Sequence, residues 1–284
     1  MQKDKPSKTA HKIAMGMLTL GAKPETADIL PTGIVAATEK LLLASGIMGP
    51  RAIGWSKSRL TISIYDAFDW MLPGQFDALA DRKAFCEGAV REAIAAGARQ
   101  VLVLGAGYDT IGYRLAPEFP HVNFFEIDHP ATARFKIKGI VALGQRDNHY
   151  LIAADLGKRT LVETLESQGS WYRETQTVIV AEGLLMYLSA NAVHELFAQC
   201  NAASGAGSRI AFTYIPTGAD GHPDAGRWTG LMLWLQNLIG EPWLWSIRPE
   251  NLGPFLAEAG WNYDLGGMGE SKKYGIEFYA MADK

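Results

Sequence analysis

The chain has 284 residues, 48% hydrophobic and 20% charged, with a formal net charge of -3. That is enough apolar side chain for a sizeable core, and the acidic balance argues against a protein that grips a phosphate backbone. Two cysteines, Cys86 and Cys200, are too few for a secreted disulfide framework, and no C-x-x-C or His/Cys cluster suggests a metal site.

The N-terminus, MQKDKPSKTAHKIAMGMLTLGA, is basic and only weakly apolar, and nowhere do 18 apolar residues run together. A soluble cytoplasmic protein is expected, with neither membrane nor nucleic acid as a partner. Residues 1–80 read as irregular helices broken at Pro24, Pro31, Gly46 to Pro50 and Pro73, and are expected to form a helical cap. From residue 81 strands and helices alternate. A helical pattern over Asp81–Ala96 precedes the apolar run Gln100–Leu104. Further runs follow at Val122–Asp128, His149–Asp155, Thr177–Ala181 and Arg209–Tyr214, with helical patterns at Pro130–Leu143, Leu161–Gln168 and Ala190–Ala203 between them. Continuous apolar runs belong to strands buried on both faces, and the alternation predicts right-handed βαβ units in a doubly wound, mostly parallel α/β sheet. Arg134, Lys136 and Lys138 read as a solvated helix face.

Residues 215–248 interrupt the alternation after the fifth strand, with Pro216, Gly218, Gly221 and Pro223, then Trp228, Trp234, Trp243 and Trp245. They are expected to form a lid in which some rings face the sheet and one or two line an acceptor pocket. The helix Pro249–Ala259, a Gly-rich Gly266–Gly269 stretch and a strand at Ile276–Ala282 complete the 81–284 domain.

Chemistry concentrates where the strands end. Gly105-Ala106-Gly107-Tyr108-Asp109-Thr110 follows the first parallel strand, where glycines permit a tight turn and close approach of a ligand. The third glycine of a dinucleotide fingerprint is replaced by Thr110, and Asp109 near a helix N-terminus would repel a pyrophosphate. Adenosylmethionine carries no phosphate and tolerates acidic neighbours. Asp128, Asp155 and Glu182 close three successive strands; each alone could cap a helix, but three carboxylates at the ligand edge suggest a binding site. Asp128 can accept both hydroxyls of a ribose, and Asp155 can accept an adenine amino group while Leu156 packs on the ring.

RQVLVLGAGYDTIGYRLA, FFEIDHPATARFK, AADL and AEGLLMYL, in this order, resemble the leucine carboxyl methyltransferase family, above all bacterial members similar to polyketide O-methyltransferases. The resemblance implies a class I methyltransferase-like fold with S-adenosyl-L-methionine as cofactor and S-adenosyl-L-homocysteine as product. It places Gly105, with Ala106 and Gly107, against the methionine part, Asp128 on the ribose, Asp155 and Leu156 at the adenine, and Glu182 at the methionine end. It also implies an arginine before the first strand that holds the cofactor carboxylate. Arg82 occupies that place, with Lys83 adjacent and Lys8 or Lys12 as possible assistants. The implied function is O-methylation of a small-molecule carboxylate or phenol.

Methyl transfer is an in-line displacement, so the protein's main task is positioning. His129 and Tyr187 are candidates for a catalytic part, although no His/Asp pair is evident from spacing. An ionised carboxylate acceptor needs no base, which modestly favours it over a phenol. Competing readings are a nicotinamide oxidoreductase, a noncatalytic binding protein on the same fold, and a modifier of a protein C-terminus or of tRNA.

Overall fold

The computed structural model describes residues 6–70, 74–263, 269–270 and 276–284. Pro73 and residues 266–268 of the Gly-rich stretch lie outside them.

The helices α1 (Lys8–Gly21), α2 (Pro24–Ala27), α3 (Ile34–Ser45), α4 (Pro50–Ser56) and α5 (Arg59–Phe68) precede the long helix α6 (Gln75–Ala95). Their ends follow local chemistry. Ser7 caps α1 by accepting from the Ala10 amide, and Pro24 and Pro50 stand in the first turns of α2 and α4, where no amide donor is needed. Then come β1 (Gln100–Leu104), α7 (Ile111–Leu115), β2 (Asn123–Asp128), α8 (Pro130–Leu143) and β3 (His149–Ala153). They are followed by α9 (Leu161–Glu166), β4 (Thr177–Ala181), α10 (Ala190–Ala202) and β5 (Arg209–Tyr214). The chain closes with α11 (Thr229–Ile239), α12 (Pro249–Glu258), β6 (Gly269–Glu270) and β7 (Phe278–Asp283).

The sheet order is β3-β2-β1-β4-β5-β7-β6. β1 to β5 pair in parallel and β7 runs antiparallel to β5. The apolar runs are buried on both faces, as their composition requires. Leu102, Leu104, Phe125, Ile127 and Ile179 enter one core cluster, while their alternating neighbours Val101, Val103, Phe124, Val178 and Val180 enter another. Ala14 and Leu18 of α1, Leu41 and Leu42 of α3 and Ile140 of α8 form a third cluster, which ties the N-terminal helices to the sheet's flank.

The strands begin and end near their expected positions. β3 stops at Ala153, so Asp155 lies two residues beyond it. Because β1 to β4 are parallel, their carboxyl ends share one edge, where ligands of open α/β sheets bind.

Candidate functional site

The turn after β1 is the tightest part of that edge. Gly105 and Gly107 have φ of +62° and +47°, a backbone region that side chains disfavour. A Cβ on Gly105 would lie 2.9 Å from Leu184, and one on Gly107 would lie 3.2 Å from Ala10 of α1. The turn also fixes Asp128, whose carboxylate accepts from the amides of Gly107 at 2.5 Å and His129 at 2.6 Å. Burial pushes the Asp128 pKa up, against the opposing pull of these two amides. Asp109 accepts from the Ile111 amide at 2.6 Å at the start of α7.

Behind the turn lies a buried ionic cluster. Arg82 and Lys83 of α6 are 5% and 7% exposed, which excludes the solvated role that a charged pair on a helix suggests. Arg82 Nε donates to Glu182 at 2.8 Å and Nη1 donates to Glu277. Lys83 donates to Asp109 at 2.5 Å and to Glu182 at 3.0 Å. Glu277 also accepts from Thr213 at 2.6 Å, and Thr213 accepts from the Gly183 amide at 2.9 Å. Burial opposes the charge on Arg82, but Glu277 and Glu182 overcome it and raise its pKa. Lys83 is raised likewise, burial being outweighed by Asp109 and Glu182. The guanidinium has further N–H donors on Nη1 and Nη2 for another acceptor.

On the far side of Asp128, Asp155 accepts from the Gly157 amide at 3.1 Å with Leu156 beside it. His129 accepts from the Ala131 amide at 3.3 Å through Nδ1, capping α8, and its Nε2 lies 3.8 Å from Asp155. The outer wall comes from distant sequence. Glu241 accepts from the amides of Lys8 at 2.9 Å and Thr9 at 3.0 Å and from the Thr9 hydroxyl, joining the segment after α11 to the start of α1. The Leu244 amide donates to the Met186 carbonyl at 2.6 Å, joining the same segment to the loop after β4. Tyr187 lies beside Thr9 and Trp243, and burial raises its pKa.

These walls enclose a cavity of about 850 Å³, within the range of small-ligand sites. Arg82, Gly105, Ala106, Gly107, Asp128, His129, Asp155, Leu156, Glu182 and Tyr187 all line it. Lys12 lines it too, whereas Lys8 meets Glu241 through its backbone amide.

Sequence reasoning missed Glu277 and Glu241, and no local signal marks either. The tryptophans divide as a mixture. Trp243 lines the cavity, Trp245 is buried, Trp234 is exposed, and Trp228 packs edge-on against Trp70 at 5.4 Å.

Lys136 is not on a solvated face: it is 2% exposed, lies 2.5 Å from Glu126 and donates to the Ala106 carbonyl at 3.3 Å. Arg134 and Lys138 are four residues apart and share one side of α8, which leaves Lys136 on the opposite side, facing the sheet. His149 lies 3.2 Å from the other oxygen of Glu126.

The sequence profile described as leucine carboxyl methyltransferase matches residues 43–201. A protein of Mycolicibacterium gilvum, provisionally named an S-adenosyl-L-methionine-dependent methyltransferase, is 32% identical over 152 residues, covering 53% of this chain and 49% of its own. The match thus spans about half the length of that curated relative. Among solved structures, a provisionally named methyltransferase from Thermobifida fusca superposes with a TM-score of 0.62 at 15% identity, covering 92% of this chain and 97% of the other. A DUF574 family protein from Streptomyces avermitilis gives 0.58 at 14% identity, covering 77% and 88%. Both share the fold.

Proposed function

The chain belongs to the leucine carboxyl methyltransferase family, and from that premise we propose that it is an S-adenosylmethionine-dependent O-methyltransferase acting on a small-molecule carboxylate or phenol. The observation that carries the reading is the gathering of Asp128, Asp155 and Glu182 around one cavity with the Gly105–Gly107 turn. The match over half of the M. gilvum relative supports the same cofactor.

The residues fit adenosylmethionine chemically. Gly105 and Gly107 leave room at a crowded turn, since a Cβ at either would press on its neighbours. The cluster of Arg82, Lys83, Asp109, Glu182 and Glu277 holds more carboxylates than cations, which suits a ligand whose ammonium and sulfonium outnumber its single carboxylate. When bound, the cofactor supplies a methyl group activated by a positively charged sulfur. Asp128, held by two amides, would accept the ribose hydroxyls, and Asp155 with Leu156 would receive the adenine. Glu182 would meet the ammonium, and the remaining N–H donors of Arg82 the carboxylate.

Residues 215–248 would act as the lid and 1–80 as the cap, together excluding water and holding the acceptor in line. His129 and Tyr187 would border the reacting groups. Nδ1 of His129 is committed to capping α8, so its Nε2, 3.8 Å from Asp155, is the nitrogen that remains for a catalytic part.

Calorimetric titration tests the reading. Adenosylhomocysteine should bind and NAD should not; micromolar NAD binding with none for adenosylhomocysteine would overturn it. Among the described residues no helix is long and apolar enough to cross a membrane.

A further inference from the structure

The segment after β5 carries a helix that one copy of the chain leaves unpacked. α11, with the sequence TGLMLWLQNLI, has no charged residue, yet none of its side chains is buried. Met232, Gln236 and Ile239 line the cavity, while Leu231, Trp234 and Leu238 are exposed, at spacings that put each trio on its own face of the helix. A helix that is apolar all round belongs in a core or a membrane, and the 11 residues of α11 are too few to span a bilayer. The N-terminal helices have a similar edge. Trp55 of α4, Leu60 of α5 and Trp70 just beyond it are each more than half exposed, as are Trp234, Leu238 and Leu244. Among the described residues, only Val141 and Tyr172 of the other large apolar side chains are as open. Trp70 meets Trp228 edge-on at 5.4 Å, which joins the two segments.

We propose that α11 and the edge from Trp55 to Trp70 form the interface of a two-fold dimer, in which a second copy of this chain completes the packing of α11. Three tryptophans and three leucines, each more than half exposed, present several hundred square ångströms of apolar surface. That exceeds the scattered apolar residues normal on a monomer and is of the order of the ~800 Å² that each partner gives to a stable interface. The charge pattern selects the occupant. Helices that lie on membranes carry a polar face rich in Lys and Arg, and α11 has none. The Trp55–Trp70 edge is balanced as well: Lys57 pairs with Glu39 and Asp66 with Lys23, which leaves Arg59 and Asp69 of opposite sign. A two-fold axis brings the same uncharged helix from each copy together without like charges meeting. Helices draw most of their stability from packing. The partner, seated on the outer face of α11, therefore fixes its inner face, the cavity wall at Met232, Gln236 and Ile239.

Light scattering on the full chain without ligand, at micromolar concentration, should give twice the chain mass, a result independent of the cofactor reading. Leu238→Glu, on the outer face of α11, places a carboxylate in the interface and should weaken the dimer about 100-fold or more. Trp70→Glu should do the same from the other segment. In the monomeric variants the α11 amides should exchange hydrogen about tenfold faster or more, while the amides of β1 to β4 keep the parent's protection and show that the fold is intact. A parent that is monomeric overturns the proposal, and so does a dimer whose affinity neither substitution alters. A parent that binds phosphatidylglycerol vesicles and forms no dimer in solution gives the face to a lipid surface and overturns it too. Equal α11 protection in the parent dimer and the monomeric variants overturns the partner's role in fixing the cavity wall.

Discussion

Two buried ionic clusters flank the turn after β1, and they do different work. Glu126, Lys136 and His149 form a sealed cluster, each no more than 2% exposed, with the Lys136 ammonium also bonded to the Ala106 carbonyl. Arg82, Lys83, Asp109, Glu182 and Glu277 form the other, and all of them line the cavity. In the sealed cluster the charges face one another, Lys136 at 2.5 Å and His149 at 3.2 Å from Glu126. In the second, the carboxylates and guanidinium keep hydrogen-bonding capacity for a ligand. Burial of charge therefore does not identify a site by itself; Glu126 and Lys136 border a void of only about 10 Å³, whereas the second cluster opens on the cavity of about 850 Å³. Removing a member should cost stability in the sealed cluster, and ligand affinity at the open edge.

The largest effect is expected from Lys136→Met. It leaves Glu126 buried without its closest cation, a loss of about 3–5 kcal/mol. Urea unfolding without ligand should show it as a fall in midpoint. A variant as stable as the parent would remove the distinction between the clusters. Asp128→Ala leaves the Gly107 and His129 amides without their acceptor, so it should cost less stability than Lys136→Met, and it should weaken adenosylhomocysteine binding by about 1–3 kcal/mol, roughly 5- to 150-fold, because the ribose hydroxyls lose their acceptor. Unaltered affinity in a folded variant would show Asp128 to be misassigned. Gly112→Ala probes the sealed side sterically. Its Cβ would press on the Glu126 carboxylate and fall 3.0 Å from His149, which should cost about 1–3 kcal/mol by overpacking, read as a lower melting temperature.

Acidification sharpens the comparison, because Glu126 in the sealed cluster and Asp128 at the cavity edge carry opposite shifts. Burial alone would raise the Glu126 pKa, but Lys136 and His149 outweigh it and lower the value. Its contribution to stability is therefore present above the ordinary glutamate range and lost as pH falls through the lowered folded value. Asp128 is raised, chiefly by burial. Its ionisation costs stability near neutrality, and that cost is relieved as pH falls through the raised value. Protonated Asp128 also loses capacity to accept the ribose hydroxyls. Adenosylhomocysteine affinity should weaken on acidification before the fold does, and Asp128→Asn should flatten that dependence. A parent protein that keeps full affinity until it unfolds would contradict it.

The strand edge was legible because its determinants are local: glycines directly after β1 and carboxylates at or just beyond the ends of β2, β3 and β4. The open cluster was only half legible. Arg82 and Lys83 look like any exposed pair on a helix, and one of the carboxylates that matches Arg82 is Glu277, which comes from just before β7 and is held by Thr213 of β5. That pairing depends on the antiparallel return of the last strand, which no neighbouring residue announces. Glu241 is similar: it follows Gly240 at the end of α11 and finds its partners at residues 8 and 9. Lys136 differs from the solvated face expected for it because the helical spacing sets Arg134 and Lys138 together on the exposed side of α8 and Lys136 on the other.

The smallest expected effect is also the most discriminating, and it concerns Arg82. Arg82→Lys keeps the positive charge against Glu182 and Glu277, so most of the cluster's electrostatic balance and the fold should survive. The fork is lost: an ammonium cannot engage Glu182, Glu277 and a cofactor carboxylate with the fixed planar spread of donors that a guanidinium offers. Adenosylhomocysteine should therefore bind a few-fold more weakly, within the range of about 0.5–1.5 kcal/mol for one net hydrogen bond. An analogue lacking the amino acid carboxylate should bind parent and variant alike, since the partner at issue is absent in both complexes. The difference between the two ligands isolates the pairwise contribution from any shift of Glu182 or Glu277 that the substitution causes. If both ligands lose the same free energy, Arg82 acts by holding the two glutamates in place. The carboxylate would then fall to Lys83, whose bonds to Asp109 and Glu182 are the remaining cationic contacts in that cluster.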